Sequence, residues 1–234
     1  MRSTVKKVRQ KQSTSLVSHS SIELSNMTGD SFLVLNTESL EQSIKTNVES
    51  DVLFNLLTYA KQLNELIYND ERFSKDYFKE IEKNISNSSS NKFLNELIKI
   101  IEFYFEKYLL SSIHLRCYIQ LHVPSNESGN NQGVNIQKQI LKEIQEMETI
   151  IEANENLFFD YYKKHYEILK YLNKYPFIED YHLYLIEYER KIFDDIRSIL
   201  LELRTIFLKT YDIIRKNLTK IQMPRNQENI SMIN

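Results

Sequence analysis

Few side chains in this sequence have the spacing that metal binding requires. The five histidines form no HExxH motif. Only Glu179 and His182 have the Glu-x-x-His spacing of a di-iron bundle, which needs that motif on two helices and a glutamate from each of the other two. His165 lies among apolar residues at helical spacing, where a hydrogen-bonded core histidine is commoner than a metal ligand. The sequence therefore predicts no metal site.

Motifs for nucleophilic catalysis and nucleotide binding are also absent. No GxSxG elbow occurs, and Cys117, the single cysteine, has neither an activating motif nor a disulfide partner. The chain has three glycines and contains neither GxxxxGK[ST] nor GxGxxG. The adjacent acids Glu179 with Asp180, and Asp194 with Asp195, point to different faces of a helix and are typical of solvated surface. We predict a protein that is not an enzyme and uses no cofactor.

One polar stretch is distinctive because of its composition. It follows Ser125 and includes Gly129, Asn130, Asn131, Gln132, Gly133 and Val134. Glycine adopts backbone conformations that other residues avoid, and asparagine tolerates the left-handed region. The stretch therefore favours a loop of defined shape, although a plain linker between two helices explains the same residues.

The elements that hold this loop are predicted from apolar periodicity. Apolar residues recur at steps of three and four over residues 52–85, 92–122, 136–175 and 178–222, which predicts four long helices, with a break or bend near Asp70 in the first. Pro124 and Pro176 end the second and third helices. Because short connections make consecutive helices antiparallel, we expect an all-α, up-down-up-down four-helix bundle.

The last predicted helix has more apolar residues than one seam needs. Leu200, Leu201, Phe207 and Tyr211 lie off its main stripe. Either the four-helix core covers all of them or part of this surface meets another subunit.

The first 45 residues differ in composition from the bundle. They are rich in Ser and Thr, begin with several Lys and Arg, and contain no acid before Glu23. We predict a mobile arm over residues 1–45, which is either a solvated tail or a nuclear or organellar address, followed by the bundle over 46–234 with a flexible tail from about 225. The net charge of −2 and the absence of a long uncharged apolar run indicate neither a nucleic-acid surface nor a membrane span.

Several separated motifs resemble the 11S regulators of the proteasome, also called the REG or proteasome activator 28 family. Residues 129–134 resemble the activation loop of the family, with Gln132 in place of an aromatic residue, and Ile136 with Gln137 follows as in the family. Lys174-Tyr175-Pro176 resembles the junction between the third and fourth helices, and Pro224-Arg225 resembles the end of the last helix. The resemblance spans residues 129–225.

This resemblance implies an ATP-independent activator of the 20S proteasome. It implies a heptameric ring of this chain, alone or with related chains, that docks on the α subunits of the core through C-terminal tails, here Met232, Ile233 and Asn234. The loop at 125–135, with Asn130 at the position that is decisive in the family, would then open the gate. The resemblance also implies a cytoplasmic or nuclear location. A non-catalytic helical scaffold or membrane-surface adaptor is the alternative reading.

Overall fold

A computed structural model of the chain describes residues 29–74, 76–77, 79, 91–125 and 131–225. The chain divides into two compact units, residues 1–43 and 44–234. Helix α1 covers Gly29–Asn47, so the part of the predicted mobile arm that is described is helical. Residues 1–28 lie outside the described residues, and their mobility stays a prediction. The predicted loop and the helices that flank it belong to the second unit.

The regular elements of the second unit are all helical, and no strand occurs among its described residues. Its elements are a π-helical segment at Val48–Val52, α2 at Leu53–Asn69, a 3₁₀ turn at Glu71–Phe73, α3 at Lys92–Leu121, α4 at Gln132–Lys174 and α5 at Glu179–Gln222. The prediction of an all-α fold with long helices is confirmed. None of the described helices combines the length and the apolar character that a membrane span needs.

The first predicted helix is interrupted at Asp70, where the sequence indicated a break or bend. Helix α2 ends at Asn69, because Asp70 has an extended backbone with φ −91° and ψ 110°. The Asp70 carboxylate accepts a hydrogen bond from the Arg72 backbone N–H at 3.0 Å and pairs with its guanidinium at 2.6 Å. Those hydrogen bonds lower the pKa of Asp70 below its usual value. This local cap competes with continuation of the helix. Residues 76–77 and 79 are helical again, and residues 80–85 of the predicted helix lie outside the described residues.

The order of side-chain contacts fixes the direction of each helix. Between α4 and α5, Gln137 contacts Ile221 and His165 contacts Glu189, so the two helices are antiparallel. Between α2 and α5, Asn64 contacts Arg204, while Glu49 just before α2 contacts Gln222, which is also an antiparallel order. Contacts between α3 and α5 run in parallel order, from Asn91–Glu189 through Tyr108–Thr210 to Tyr118–Gln222. Consecutive long helices therefore alternate in direction, as predicted.

Helix α5 is the central element because it packs against α2, α3 and α4. One apolar cluster joins all four helices and includes Leu56, Phe105, Ile144, Ile196 and Phe207. A second, smaller cluster contains Ile168, Leu172 and Leu185, between α4 and α5 near the turn that joins them. Most of the apolar core therefore lies along the parts of α4 and α5 that pack against α3.

The apolar excess of α5 is divided between the core and the surface. Leu200 and Phe207 are fully buried, and Tyr211 packs against the core while partly exposed. Leu201 is 42% exposed. The four-helix core therefore covers most of this excess, and Leu201 remains available to another subunit.

A buried carboxylate connects three helices near the start of α3. Glu189 of α5 is 1% exposed and accepts a hydrogen bond from the Asn91 side chain at 2.8 Å. Its other oxygen lies 3.1 Å from His165 Nε2 of α4. Asn91 also caps α3, since its side-chain oxygen accepts from the Leu94 N–H at 3.2 Å. A buried polar group needs such partners, so Glu189 specifies how the start of α3 meets the other two helices.

We predict that Glu189→Ala lowers the free energy of unfolding by about 3 kcal/mol, because Asn91 and His165 lose a buried partner. Glu189→Gln should lose less, since an amide oxygen still accepts. The matched control is Glu187→Ala, at an exposed position two residues earlier where the side chain is 63% exposed; its effect should stay within about 0.5 kcal/mol. Urea denaturation measures all three, and equal losses at 187 and 189 would contradict this role.

Candidate functional site

The predicted functional residues fall only partly within the described residues. Gly129 and Asn130 of the loop, and Met232, Ile233 and Asn234 of the tail, lie outside them. Asn131, Gln132, Gly133 and Val134 are described, and the last three belong to the first turn of α4. Helix α4 therefore begins at Gln132 and not near Ile136 as predicted. The physical reason for this early start is a tertiary contact of Gly133.

Gly133 lies against the end of α5. A Cβ atom added at Gly133 would overlap the carbonyl oxygen of Pro224 and lie 2.6 Å from its Cα. Real side chains do not approach a backbone so closely, so only glycine permits the contact. The N–H of Asn135 donates to the Asn131 carbonyl at 3.0 Å and starts the helix. Gly133, which suggests a loop in the sequence, thus allows α4 to start in direct contact with Pro224.

Gln137, one turn further along α4, joins the ends of two other helices. Its side-chain N–H₂ donates to the carbonyl of His122 at 3.0 Å and to that of Ile221 at 2.8 Å. The last carbonyls of a helix have no partner inside the helix. Gln137 is fully buried and supplies that partner for both α3 and α5. It thereby fixes where the chain leaves α3 and where it leaves α5.

Arg225, the last described residue, reaches across both ends of the loop. Its Nη2 donates to the Ser125 carbonyl at 3.0 Å and approaches the Asn131 side-chain oxygen at 3.4 Å. Ser125 is the described residue before segment 126–130, and Asn131 is the first one after it. Both ends of the loop therefore meet the residue from which the C-terminal tail departs.

A group of hydrogen-bonded side chains joins the end of α5 to Glu49, which lies just before α2. The Tyr118 hydroxyl donates to the Glu49 carboxylate at 2.8 Å, and Gln222 Nε2 donates to the same oxygen at 2.8 Å. Burial, reinforced by the hydrogen bond to Glu49, raises the pKa of Tyr118 to about 12. The hydroxyl thus remains a donor at neutral pH. We call this end of the bundle the loop end, defined by Tyr118, His122, Ser125, Asn131, Gly133, Gln137, Ile221, Pro224 and Arg225.

At the loop end, hydrogen bonds and close packing hold the residues from which the loop and the tail extend. The sequence indicated Gln137 and Arg225 only as motif residues of the family resemblance, without a structural role, and did not indicate Tyr118. The signal for Gln137 was present, because a glutamine occupies the position three residues before Ile140 in the apolar seam. Nothing local in the sequence connects Arg225 with Ser125. Within the described residues, no group of three or more potential ligands is arranged to hold a metal ion.

A family model for the C-terminal part of the proteasome activator PA28 matches residues 87–231, well over half of the chain. The chain belongs to the PA28 proteasome activator family. The matched residues contain α3, α4, α5 and every residue of the loop end. The resemblance found in the sequence motifs is therefore confirmed.

Relatives within the PA28 family match over about half of their length. Proteasome activator complex subunit 3 of Homo sapiens is 32% identical over 112 residues, which are 48% of this chain and 44% of the relative. Subunit 2 of Bos taurus is 30% identical over 115 residues, covering 49% of this chain and 48% of the relative. The chain thus spans a little under half of the length of these relatives.

Solved structures of PA28-like activators have the same fold. The 11S subunit of the Plasmodium falciparum proteasome, PA28, superposes with a TM-score of 0.72 at 20% identity, covering 85% of this chain and 94% of that one. The activator PA26 from Trypanosome brucei, solved in complex with the yeast 20S proteasome, gives a TM-score of 0.58 at 15% identity and covers 84% and 100%. At these identities the agreement concerns the fold.

We predict that Gly133→Ala destabilises this PA28-family chain by about 1–3 kcal/mol, because the new methyl group forces the Pro224 backbone away. Helix propensity alone gives the opposite sign, since alanine is favoured over glycine inside a helix by up to about 1 kcal/mol. Asn135→Ala, at an exposed position in the same part of α4, is the control and should be neutral or slightly stabilising. Denaturant unfolding measures both, and a stabilised Gly133→Ala protein would contradict the close packing.

Proposed function

We propose that this chain is a subunit of an ATP-independent activator of the 20S proteasome, which docks on the core α subunits and opens their gate. Membership of the PA28 family supports this function. The observation that carries it is the joining of two segments at one end of the bundle. Ser125 and Asn131 flank the loop, and Arg225, which contacts both, is followed directly by the tail. One face of the molecule can therefore present both segments to one partner.

The two segments have different physical tasks in this proposal. The tail, ending in Met232, Ile233 and Asn234, provides docking. Several weak tails on one rigid ring bind strongly together, because the first contact raises the effective concentration of the others. The loop, with Asn130, shifts the gate by binding its open state better than its closed state, since equal binding to both would change nothing.

Ring assembly, which we propose to be heptameric, needs apolar surface that the monomer leaves uncovered. On α3, Phe103, Leu110 and Ile113 are 46–58% exposed, and on α5 Leu201 is 42% exposed. These side chains lie on two helices that pack against each other through their inner faces. Two unlike surfaces on one subunit suit the head-to-tail contacts from which closed rings form. A cytoplasmic or nuclear location belongs to the same proposal.

Deleting Met232–Asn234 should abolish co-sedimentation with 20S core particles. The deleted residues begin seven positions after Arg225, the last residue of the loop end, so the bundle should be unaffected. Native mass spectrometry should show the same closed ring for the truncated and the complete chain. The tail has no role in docking if the truncated ring binds the core as the complete one does. A complete chain that remains a monomer or dimer would contradict the ring.

Asn130→Tyr should separate activation from docking. The change replaces a short amide that can bond to nearby backbone with a large ring that left-handed backbone accommodates poorly. Hydrolysis of fluorogenic peptides by saturated core particles should fall close to the rate without activator. Co-sedimentation should persist, because the tail is unchanged. A mutant ring that binds and stimulates as well as the wild type would show that Asn130 is only a linker residue.

A further inference from the structure

Arg225 lies where it can connect the position of the C-terminal tail with the position of the loop. Its guanidinium donates to Ser125 O at 3.0 Å and approaches Asn131 Oδ1 at 3.4 Å. These two residues are the described neighbours of segment 126–130, and the chain continues from Arg225 into the C-terminal tail. A movement of the tail at Arg225 would therefore displace Ser125 and Asn131, the residues at the two ends of the loop.

The backbone of Arg225 is held independently of its side chain. The preceding residue, Pro224, lies against Gly133 with its Cα and carbonyl. The Ile221 carbonyl, near the end of α5, accepts the Gln137 bond at 2.8 Å. The backbone that carries the Arg225 side chain is consequently held in place. Ser125 and Asn131 are exposed, so the Arg225 contacts contribute little to the core.

We propose that Arg225 is a positioning residue that couples tail docking to the placement of the loop. This inference rests on the proposed function and extends it by naming the connection between its two parts. Docking of the tail restrains Arg225, and Arg225 restrains both ends of the loop. Coupling between two binding events is reciprocal, so a loop that fits the partner also favours tail binding.

Arginine suits this task better than lysine. The planar guanidinium has five N–H donors in a fixed fork, and both acceptors here are neutral oxygens. A lysine ammonium keeps the charge but carries it as a point at the end of a flexible stem. Arg225→Lys should therefore restore the function of Arg225→Ala only in part.

The experiment compares complete rings that carry Arg225→Ala, Arg225→Lys or the control Arg215→Ala. Arg215 is exposed on α5, ten residues before Arg225, with its guanidinium 6.0 Å from the Tyr211 ring centroid. Three quantities are measured: the ring concentration for half-saturation of 20S core particles, the peptide hydrolysis at saturation, and hydrogen exchange of amides 131–135 in the free ring.

For Arg225→Ala, we expect stimulation at saturation to fall about tenfold, the equivalent of losing one hydrogen bond to a charged group. The half-saturating concentration should rise severalfold, and amide exchange near Asn135 should accelerate. Arg225→Lys should lie between Arg225→Ala and the wild type, and Arg215→Ala should match the wild type. If Arg225 had only a structural role, Arg225→Ala would change the amide exchange and the stability to unfolding. It would not change the peptide hydrolysis stimulated by each bound ring.

Three results would overturn the coupling. The first is an Arg225→Ala ring that stimulates as the wild type does at saturation. The second is complete restoration by Arg225→Lys, which would show that charge suffices. The third is unchanged exchange at 131–135, which would show that Arg225 does not hold the loop ends. A wild-type ring that neither binds nor stimulates the core overturns the proposed function itself, and is thereby distinguished from these three.

Discussion

At the loop end of the bundle, the backbone of Pro224 lies directly against Gly133, with no space for a methyl group between them. This contact brings the end of α5 onto the start of α4. The Gln137 side chain then reaches the carbonyls of both His122 and Ile221. Only with α5 ending here can Arg225 meet Ser125 and Asn131. A side chain at position 133 would separate the two helix ends, and the loop and tail would lose their shared support.

Polar contacts at three levels complement the apolar core and fix how the helices align. Near the loop end, Tyr118 donates to Glu49. Midway, the Tyr108 hydroxyl lies 2.9 Å from that of Thr210, in a fully buried position. At the far level, Glu189 connects with Asn91 and His165. Apolar side chains alone tolerate sliding of one long helix along another, whereas a buried hydrogen bond is lost by such a shift. These contacts therefore determine the register.

The sequence predicted the helices well where local signals determined their ends. The second predicted helix, 92–122, differs from α3 by one residue, and the fourth, 178–222, differs from α5 by one. The capping residue Asn91 and the prolines at 124 and 176 act on their own neighbours. The start of α4 was missed because Gly133 and Asn131 favour a loop locally, while the contact that lets Gly133 enter a helix comes from Pro224, 91 residues later. The buried Glu189 was missed for a similar reason, since its partners lie on other helices.

The small apolar cluster near the turn between α4 and α5 makes the stability of the chain uneven along its length. The buried apolar residues there are Ile168, Leu172 and Leu185, while Phe177 is 97% and Tyr166 68% exposed. Regions with few buried contacts open locally before the whole domain unfolds. We therefore expect the end near the α4–α5 turn to open locally more often than the loop end, where Gln137 and Gly133 join three helix ends. The end that carries Ser125, Asn131 and Arg225 can therefore keep its arrangement while the opposite end opens and closes locally.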